Sequence, residues 1–311
     1  MICSRCDETA IYSAYYSGEN LCRKHLEESI ERRVKHEIRS QVSFRKEKTR
    51  IAVAFSGGKD SSVMLFLLHK LLGNRRNLEL TAVTVDEGIS GYRDVEMEGA
   101  SRLCSELGVN HRILSFSEKY GKTMDEIARL DSGTIPCSHC GPMRRQVLNL
   151  LATEVDADYI ALGMNLDDYA QSILMNVIKG DVPRMARLAP HDEPGDLLVR
   201  RILPLKKIPE KEVMIYALVN GIKTERKWCP YYARAERNEV REIITELEEK
   251  HPGTAYSIAK FGDAVKQSLK SKENNAKLAR CKICGSPTES DICSVCRNLE
   301  RVNHLNLNMN P

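Results

Sequence analysis

The chain has 311 residues, 42% of them hydrophobic and 29% charged, and its 47 basic and 43 acidic residues give a net charge of +4. That is enough for one large core, or a core domain with small satellites, while the mild positive charge is only a weak pointer to an anionic partner. No apolar run approaches the ~18–20 residues that a membrane-crossing helix needs, and the opening MICSRCDE lacks the apolar stretch of a signal peptide, so a cytoplasmic protein is expected.

In chain order, residues 1–25 carry Cys3, Cys6, Cys22 and His25 as C-x2-C-x15-C-x2-H. Residues 26–47 place Leu26, Ile30, Val34 and Ile38 at helical spacing among charges, which predicts an amphipathic helix leading out of that module. A β/α alternation follows, with strands predicted at 49–55, 78–86, 111–116 and 158–164. Helices are predicted at 60–73, where Gly73 is the stop, 94–108, 141–155 with Pro142 near its first turn, and 166–180. This alternation implies an α/β fold, a parallel sheet with helices on both faces, with ligands bound beyond the carboxyl ends of the strands. Residues 181–230, rich in Pro and Arg, give no clear assignment, and 209–220 and 234–250 read as helices. A charged linker is predicted over 266–280, before Cys281, Cys284, Cys293 and Cys296 as C-x2-C-x8-C-x2-C. The expected units are a metal module at 1–25, a helical linker at 26–47, a catalytic domain at 48–270 and a second metal module at 271–311. No internal repeat is visible beyond the two terminal modules.

Eleven cysteines without a secretory signal point to metal rather than disulfides. Each terminal set offers four soft ligands in two closely spaced pairs, which suits a closed tetrahedral zinc site. Cys137 and Cys140, in PCSHC, and the distant Cys229, in WCPY, are different. Three thiolates leave a tetrahedral zinc incomplete. They suit a 4Fe–4S cluster with one open iron, or a redox-active pair plus a nucleophile. His139 inside the pair is the weaker choice as a fourth ligand. Cys104 sits in an apolar helical context and reads as core.

The stretch VAFSGGKDSS, residues 53–62, joins a predicted strand to a predicted helix. It fails the Walker A pattern at both ends, since Asp60 follows Gly58-Lys59 and Val53 stands five positions before Gly58. Its chemistry is still that of an anion cradle. Glycines allow close backbone approach, a helix N-terminus offers free N–H groups, Ser56, Ser61 and Ser62 add hydroxyls and Lys59 adds charge. The plainer reading is an ordinary glycine-containing turn.

SGGKDSS resembles the loop of the PP-loop (N-type) ATP pyrophosphatases. LGMNLDDYAQSILMN (162–176) is similar to a second segment of that family, with Met164 where relatives often carry His, and Asp86 resembles its acidic strand end. Helix capping is the simpler account of Asp167 and Asp168. Together with the PCxxCG pair, the lone WCPY cysteine and the two terminal modules, the chain resembles the tRNA 2-thiolation family, in its TtuA/NcsA branch rather than the more distant TtcA. The resemblance implies ATP-dependent adenylation of a uridine C2 oxygen, then sulfur transfer from a cluster-bound hydrosulfide, giving 2-thiouridine in tRNA with the wobble position favoured over the T-loop. It implies ATP contacts from Ala54, Ser56, Gly57, Gly58, Lys59, Asp60, Ser61, Ser62, Asp86 and Gly163. Catalytic roles would fall to Lys59, to Asp168 for Mg²⁺ or the uridine, and to Arg144, where relatives often have lysine. Cys137, Cys140 and Cys229 would bind the 4Fe–4S cluster, and the terminal sets two Zn²⁺. The implied partners are tRNA, a sulfur donor (sulfide or a ubiquitin-like thiocarboxylate carrier) and a second copy of the chain. Basic stretches at Arg144–Arg145, Arg200–Arg201, Lys206–Lys207 and RRVKHEIR (32–39) are the candidates for tRNA phosphates. Two competing readings are persulfide chemistry on the same cysteines without a cluster, and a non-enzymatic zinc-module scaffold that binds nucleic acid.

Overall fold

In the computed structural model, which describes all residues except 46, 192–196, 225–227, 235, 271–277 and 310–311, a short antiparallel pair opens the chain. Strands β1 (Tyr12–Ala14) and β2 (Glu19–Leu21) lead into helix α1 (Arg23–Gln41). The stripe Leu26, Ile30, Val34 and Ile38 on α1 is buried, each residue at 2% exposure or less. Burial of one such side chain contributes roughly 1.5–3 kcal/mol, so this stripe is what fastens α1 to the main domain.

The main domain alternates β3 (Thr49–Ala54), α2 (Lys59–Leu72), β4 (Leu78–Asp86), α3 (Arg93–Leu107) and β5 (Asn110–Ser115). Two short helices follow, α4 (Phe116–Tyr120) and α5 (Met124–Leu130), each opened by a capping box, at Ser115/Glu118 and at Thr123/Glu126. Next come α6 (Pro136–Glu154), β6 (Tyr159–Ala161), α7 (Leu166–Ile178), α8 (Val182–Ala186), β7 (Arg200–Ile202) and α9 (Glu210–Val219). The described chain continues through α10 (Arg237–Lys250), α11 (Thr254–Lys270), a small β8 (Ala279–Arg280) and β9 (Pro287–Thr288) pair, and α12 (Ser294–Met309).

The five central strands are parallel in the order β5-β4-β3-β6-β7. Ile51 and Val53 of β3 face a core shared with α1, α2, α3 and α9, while Ala52 faces the core that holds α5, α6 and the carboxy-terminal cysteines. That alternation is the period-two geometry of a strand. A third core joins α7, α10 and α11. Cys104 is 2% exposed within the first. The chain order reverses between β3 and β6, so a crevice opens there beyond the carboxyl ends of the strands. Among the described residues, no helix is long and apolar enough to cross a membrane.

Besides the short helices α4, α5 and α8 and the terminal α12, which the sequence did not suggest, four differences from expectation matter for the site and its surroundings. The helix expected from 141 begins at Pro136, which takes the first helical position and draws Cys137 and Cys140 into the first turns. The strand expected to 164 ends at Ala161, leaving Gly163 in the following loop. The unassigned region supplies the edge strand β7, which pairs with β6. The first residues of the expected charged linker continue α11 as far as Lys270, and 271–277 lie outside the described residues.

Candidate active site

In a parallel α/β sheet, the helix that follows a strand starts at that strand's carboxyl end. α2 and α7 follow β3 and β6, and α6 leads into the amino end of β6, so the N-termini of all three lie toward the carboxyl edge of the sheet. At α2, Gly58 is the N-cap in extended conformation and supplies no side-chain cap, so the first-turn amides and the positive end of the helix dipole stay available to an anion. Gly57 has φ +87° and lies so close to Glu96 that a Cβ would stand 2.3 Å from that carbonyl oxygen. Only glycine fits both constraints.

The loop braces itself with its serines. Ser61 Oγ accepts from the Ser56 amide at 3.2 Å and donates to the Gly58 carbonyl at 2.9 Å. Ser62, 1% exposed, donates to the Gly57 carbonyl at 3.3 Å. These two hydroxyls hold the loop's shape. Lys59 Nζ stands 3.0 Å from Asp60 and 3.5 Å from Glu210, a cation fixed at the mouth of the cradle.

The second loop closes on the first. A Cβ on Gly163 would sit 3.0 Å from the Ser61 amide nitrogen, so glycine is what permits the contact. Asn165, 1% exposed and not singled out by the sequence reasoning, accepts from the Asp168 amide and donates to Asp60 Oδ1, both at 2.9 Å. The available signal was its place as an N-cap ahead of an acidic first turn. Asp167 turns away from the crevice and accepts from the Glu210 amide at 2.7 Å, capping α9. Asp168 remains in the crevice. Burial pushes its carboxyl up to about 6, against the pull of Arg237 at 3.3 Å and with a further push from Asp60 and Glu210. Asp86 ends β4 and accepts from the Gly88 amide at 2.9 Å, and Ala54 ends the neighbouring β3.

The three central cysteines converge. Burial pushes the Cys140 thiol up to about 12, Arg144 pulls it down, and Glu87, Cys137 and Cys229 push it further. Burial likewise raises Cys229, which also feels Cys137, Glu87 and Arg144. Cys140 and Cys229 pack against the same core. Tyr231, two residues past Cys229, anchors that segment by donating to Asp125 at 2.7 Å. Among the described residues, the sets of metal-binding type whose ligand atoms all lie within 4.8 Å of one another are the two terminal ones, and this trio is not among them. Cys137, exposed, and Cys140, half-buried, lie in the first turns of α6, where the positive end of the helix dipole favours thiolates, and the half-buried Cys229 comes from an irregular segment. His139 is turned into the core: it is 2% exposed and its Nε2 bonds Asp131 at 2.9 Å, which Arg301 of α12 holds from the other side at 2.9 Å.

The terminal modules pass a geometric test. Cys3, Cys6 and Cys22 lie 3.3–3.4 Å from His25 Nδ1, and Cys6 to Cys22 is 3.7 Å. Cys284 to Cys293 is 3.7 Å and Cys281 to Cys296 is 3.9 Å. A tetrahedron built on ~2.3 Å Zn–S bonds has sulfur–sulfur edges of about 3.7 Å. The second module touches the cysteine helix, since Gln146 of α6 donates to Cys284 Sγ at 3.5 Å and to Cys293 Sγ at 3.8 Å.

The basic stretches separate. Lys206 is 7% exposed and paired with Asp263 at 2.9 Å, and Lys207 pairs with Glu37 at 2.7 Å, so both are engaged within the fold. Arg33 is engaged with Glu212, and Arg200 lies over the Tyr159 ring. Arg32, Lys35, His36 and Arg39 line one groove on α1 together with Glu28 and Glu31, the latter paired with Lys70 at 2.7 Å. Arg145 is pulled down to about 10 by burial and by the like charges of Arg201, Arg144 and Arg184. Those four arginines form a concentrated positive patch beside the cysteine helix.

A family model described as a PP-loop domain matches residues 26–248, and one described as the four-cysteine zinc finger domain of RecR matches 278–298. The chain is 38% identical over 302 residues to a probable sulfurtransferase of Methanocaldococcus jannaschii, covering 95% of this chain and 86% of that one. It is 33% identical to the tRNA 2-thiolation protein NcsA of Haloferax volcanii, covering 97% and 99%. Among solved structures it is similar to the U34-tRNA thiolase NcsA from Methanococcus maripaludis with its [4Fe-4S] cluster, at 36% identity and a TM-score of 0.84, covering 97% and 96%.

Proposed function

The chain belongs to the PP-loop family, in its tRNA 2-thiolation branch, and on that footing we propose that it replaces the C2 oxygen of a tRNA uridine with sulfur in an ATP-dependent reaction. The observation that carries this reading is the shared edge: a phosphate cradle at the start of α2 and three converging cysteines at the start of α6 and in the Cys229 segment. A scaffold protein has no use for that pairing, whereas a two-step exchange of oxygen for sulfur needs both.

The α2 amides and Lys59 hold the β- and γ-phosphates, which depart as pyrophosphate. The uridine C2 oxygen attacks the α-phosphorus and becomes part of an adenylate, which converts a poor leaving group into AMP. Asp168, ionised at neutral pH, orients the uridine or holds the Mg²⁺ of ATP, and Arg144 offsets charge building on the α-phosphate. Cys137, Cys140 and Cys229 are the residues that would hold a 4Fe–4S cluster, which would supply a site for the sulfur atom. Sulfur addition at C2 then expels AMP, which carries away the former C2 oxygen. The terminal sets hold structural Zn²⁺. The arginine patch and the α1 groove take tRNA phosphates. The wobble uridine is the favoured site, as in the U34 enzyme that this chain resembles over 97% of its length. Sulfide or a thiocarboxylate carrier supplies the sulfur, and the working unit is a cytoplasmic dimer.

The test is anaerobic incubation with unmodified tRNA, ATP, Mg²⁺ and sulfide, followed by nucleoside mass spectrometry. The expected product is 2-thiouridine, formed only with ATP. Unchanged uridine from protein that carries its full iron content would refute the reading.

A further inference from the structure

Glu87 follows Asp86 at the carboxyl end of β4, and its side chain is 7% exposed. Its Oε2 lies 2.8 Å from Arg93 Nε, and its Oε1 lies 3.7 Å from Arg144 NH1. Arg93, 3% exposed, donates to the Ser56 carbonyl at 2.9 Å, to the Val85 carbonyl at 2.7 Å and to Glu96 at 2.5 Å. Glu96 is the residue whose carbonyl presses on Gly57. A chain of contacts therefore runs from the nucleotide loop through Arg93 and Glu87 to Arg144, one helical turn past Cys140.

Counting charge explains why Arg144 stays there. The single positive charge of Arg93 faces two buried carboxyl groups, Glu87 and Glu96, and burial pushes the Glu96 carboxyl up, so negative charge is in excess here when both are ionised. Such an excess is costly unless a further cation compensates it. Arg144 is the cation within reach, although 54% of its side chain is exposed and nothing else need restrain so long a side chain. Glu87 itself faces the cysteines with the wrong sign for thiolates, so it does not serve them directly.

We propose that Glu87 is a positioning residue: its second carboxylate oxygen fixes the Arg144 guanidinium beside the three cysteines and ties it to the loop that cradles the phosphates. The proposal rests on the thiolation reading. It makes the nucleotide loop and the sulfur site one mechanical unit, with Glu87 at the joint.

The experiment is a double-mutant cycle on tRNA thiolation with Glu87→Gln and Arg144→Gln, together with phenylglyoxal modification of Arg144 in cluster-free protein, mapped by tandem mass spectrometry with Arg145 as the internal control. Glu87→Gln is expected to lower kcat by roughly 10- to 100-fold with the KM for ATP changed less than about 2-fold, and to add almost nothing in the Arg144→Gln background. In cluster-free Glu87→Gln protein, Arg144 should be modified several-fold faster and Arg145 at its former rate. Should Glu87→Gln fail to fold, Glu87→Asp keeps the charge while retracting it, and should likewise speed Arg144 modification. Additive losses in the cycle, or unchanged Arg144 modification, overturn the proposal. A wild-type protein that thiolates no tRNA overturns the functional reading and this proposal together, whereas an active wild type with additive losses overturns this proposal alone.

Discussion

The Asn165 side chain bonds Asp60 and the Asp168 amide at the same time, each at 2.9 Å. It thereby pins the start of α7 to the start of α2 across the point where the strand order reverses. Replacing Asn165 by Ala removes a cap worth about 1 kcal/mol and frees Asp60. The variant should unfold at lower denaturant by that amount and show a KM for ATP raised several-fold. Unchanged stability and KM would show that the two loops are held independently.

Gly57→Ala confronts both a left-handed φ and the Glu96 carbonyl. The strain is on the order of 1–3 kcal/mol, and relief requires the loop to move off α3. Lys59→Ala leaves the loop's shape intact and removes its charge. Both should lower ATP-dependent pyrophosphate release by about 10²-fold or more, but only Gly57→Ala should also lower the melting temperature. Normal release by Lys59→Ala would remove the phosphate role from this loop.

On the proposed mechanism Asp168 works ionised, and it should set the acid side of the pH profile. Its folded pKa, about 6, lies above the unfolded value. The folded protein keeps this proton through the interval between the two values, so the group's contribution to stability falls as pH rises through that interval. Activity runs the other way, because the ionised form is the working one, and kcat should fall below about pH 6. Arg237 pulls this pKa down, so Arg237→Gln should move the acid limb to higher pH. A limb that stays in place assigns it to another group.

Glu212, with a fully buried side chain on α9, pairs with Arg33 on α1 and accepts from Tyr16 at 2.6 Å. Glu212→Ala leaves Arg33, 19% exposed, without its carboxylate and with only neutral acceptors at Ser29, Lys207 and Tyr256, at a cost of up to roughly 3–5 kcal/mol by equilibrium denaturation. A loss under about 1 kcal/mol would show that Arg33 finds water instead.

The first half of the catalytic domain was legible because its strands are buried runs and its helices end at glycines such as Gly108, which takes φ +63° at a helix end. The second half was less so. The edge strand β7 is three residues long and two of them are arginines, which leaves no apolar pattern to read. The loop, the acidic segment and the cysteine sets were visible as local motifs. Asn165, Glu87 and Arg93 were not, since each acts through partners distant in the chain. Asp167 shows the opposite limit: it sits beside Asp168 in sequence, yet it caps a helix that starts more than forty residues later.

On the proposed function Cys137, Cys140 and Cys229 together hold one iron–sulfur cluster beside the nucleotide. Iron and acid-labile sulfide should be measured on anaerobically purified wild-type and Cys229→Ala proteins, with zinc and ATP affinity as controls. About four iron atoms per chain are expected in the wild type, and their loss in Cys229→Ala with zinc content and ATP binding unchanged. Full iron retention by Cys229→Ala, or zinc in place of iron at this site in the wild type, would contradict it.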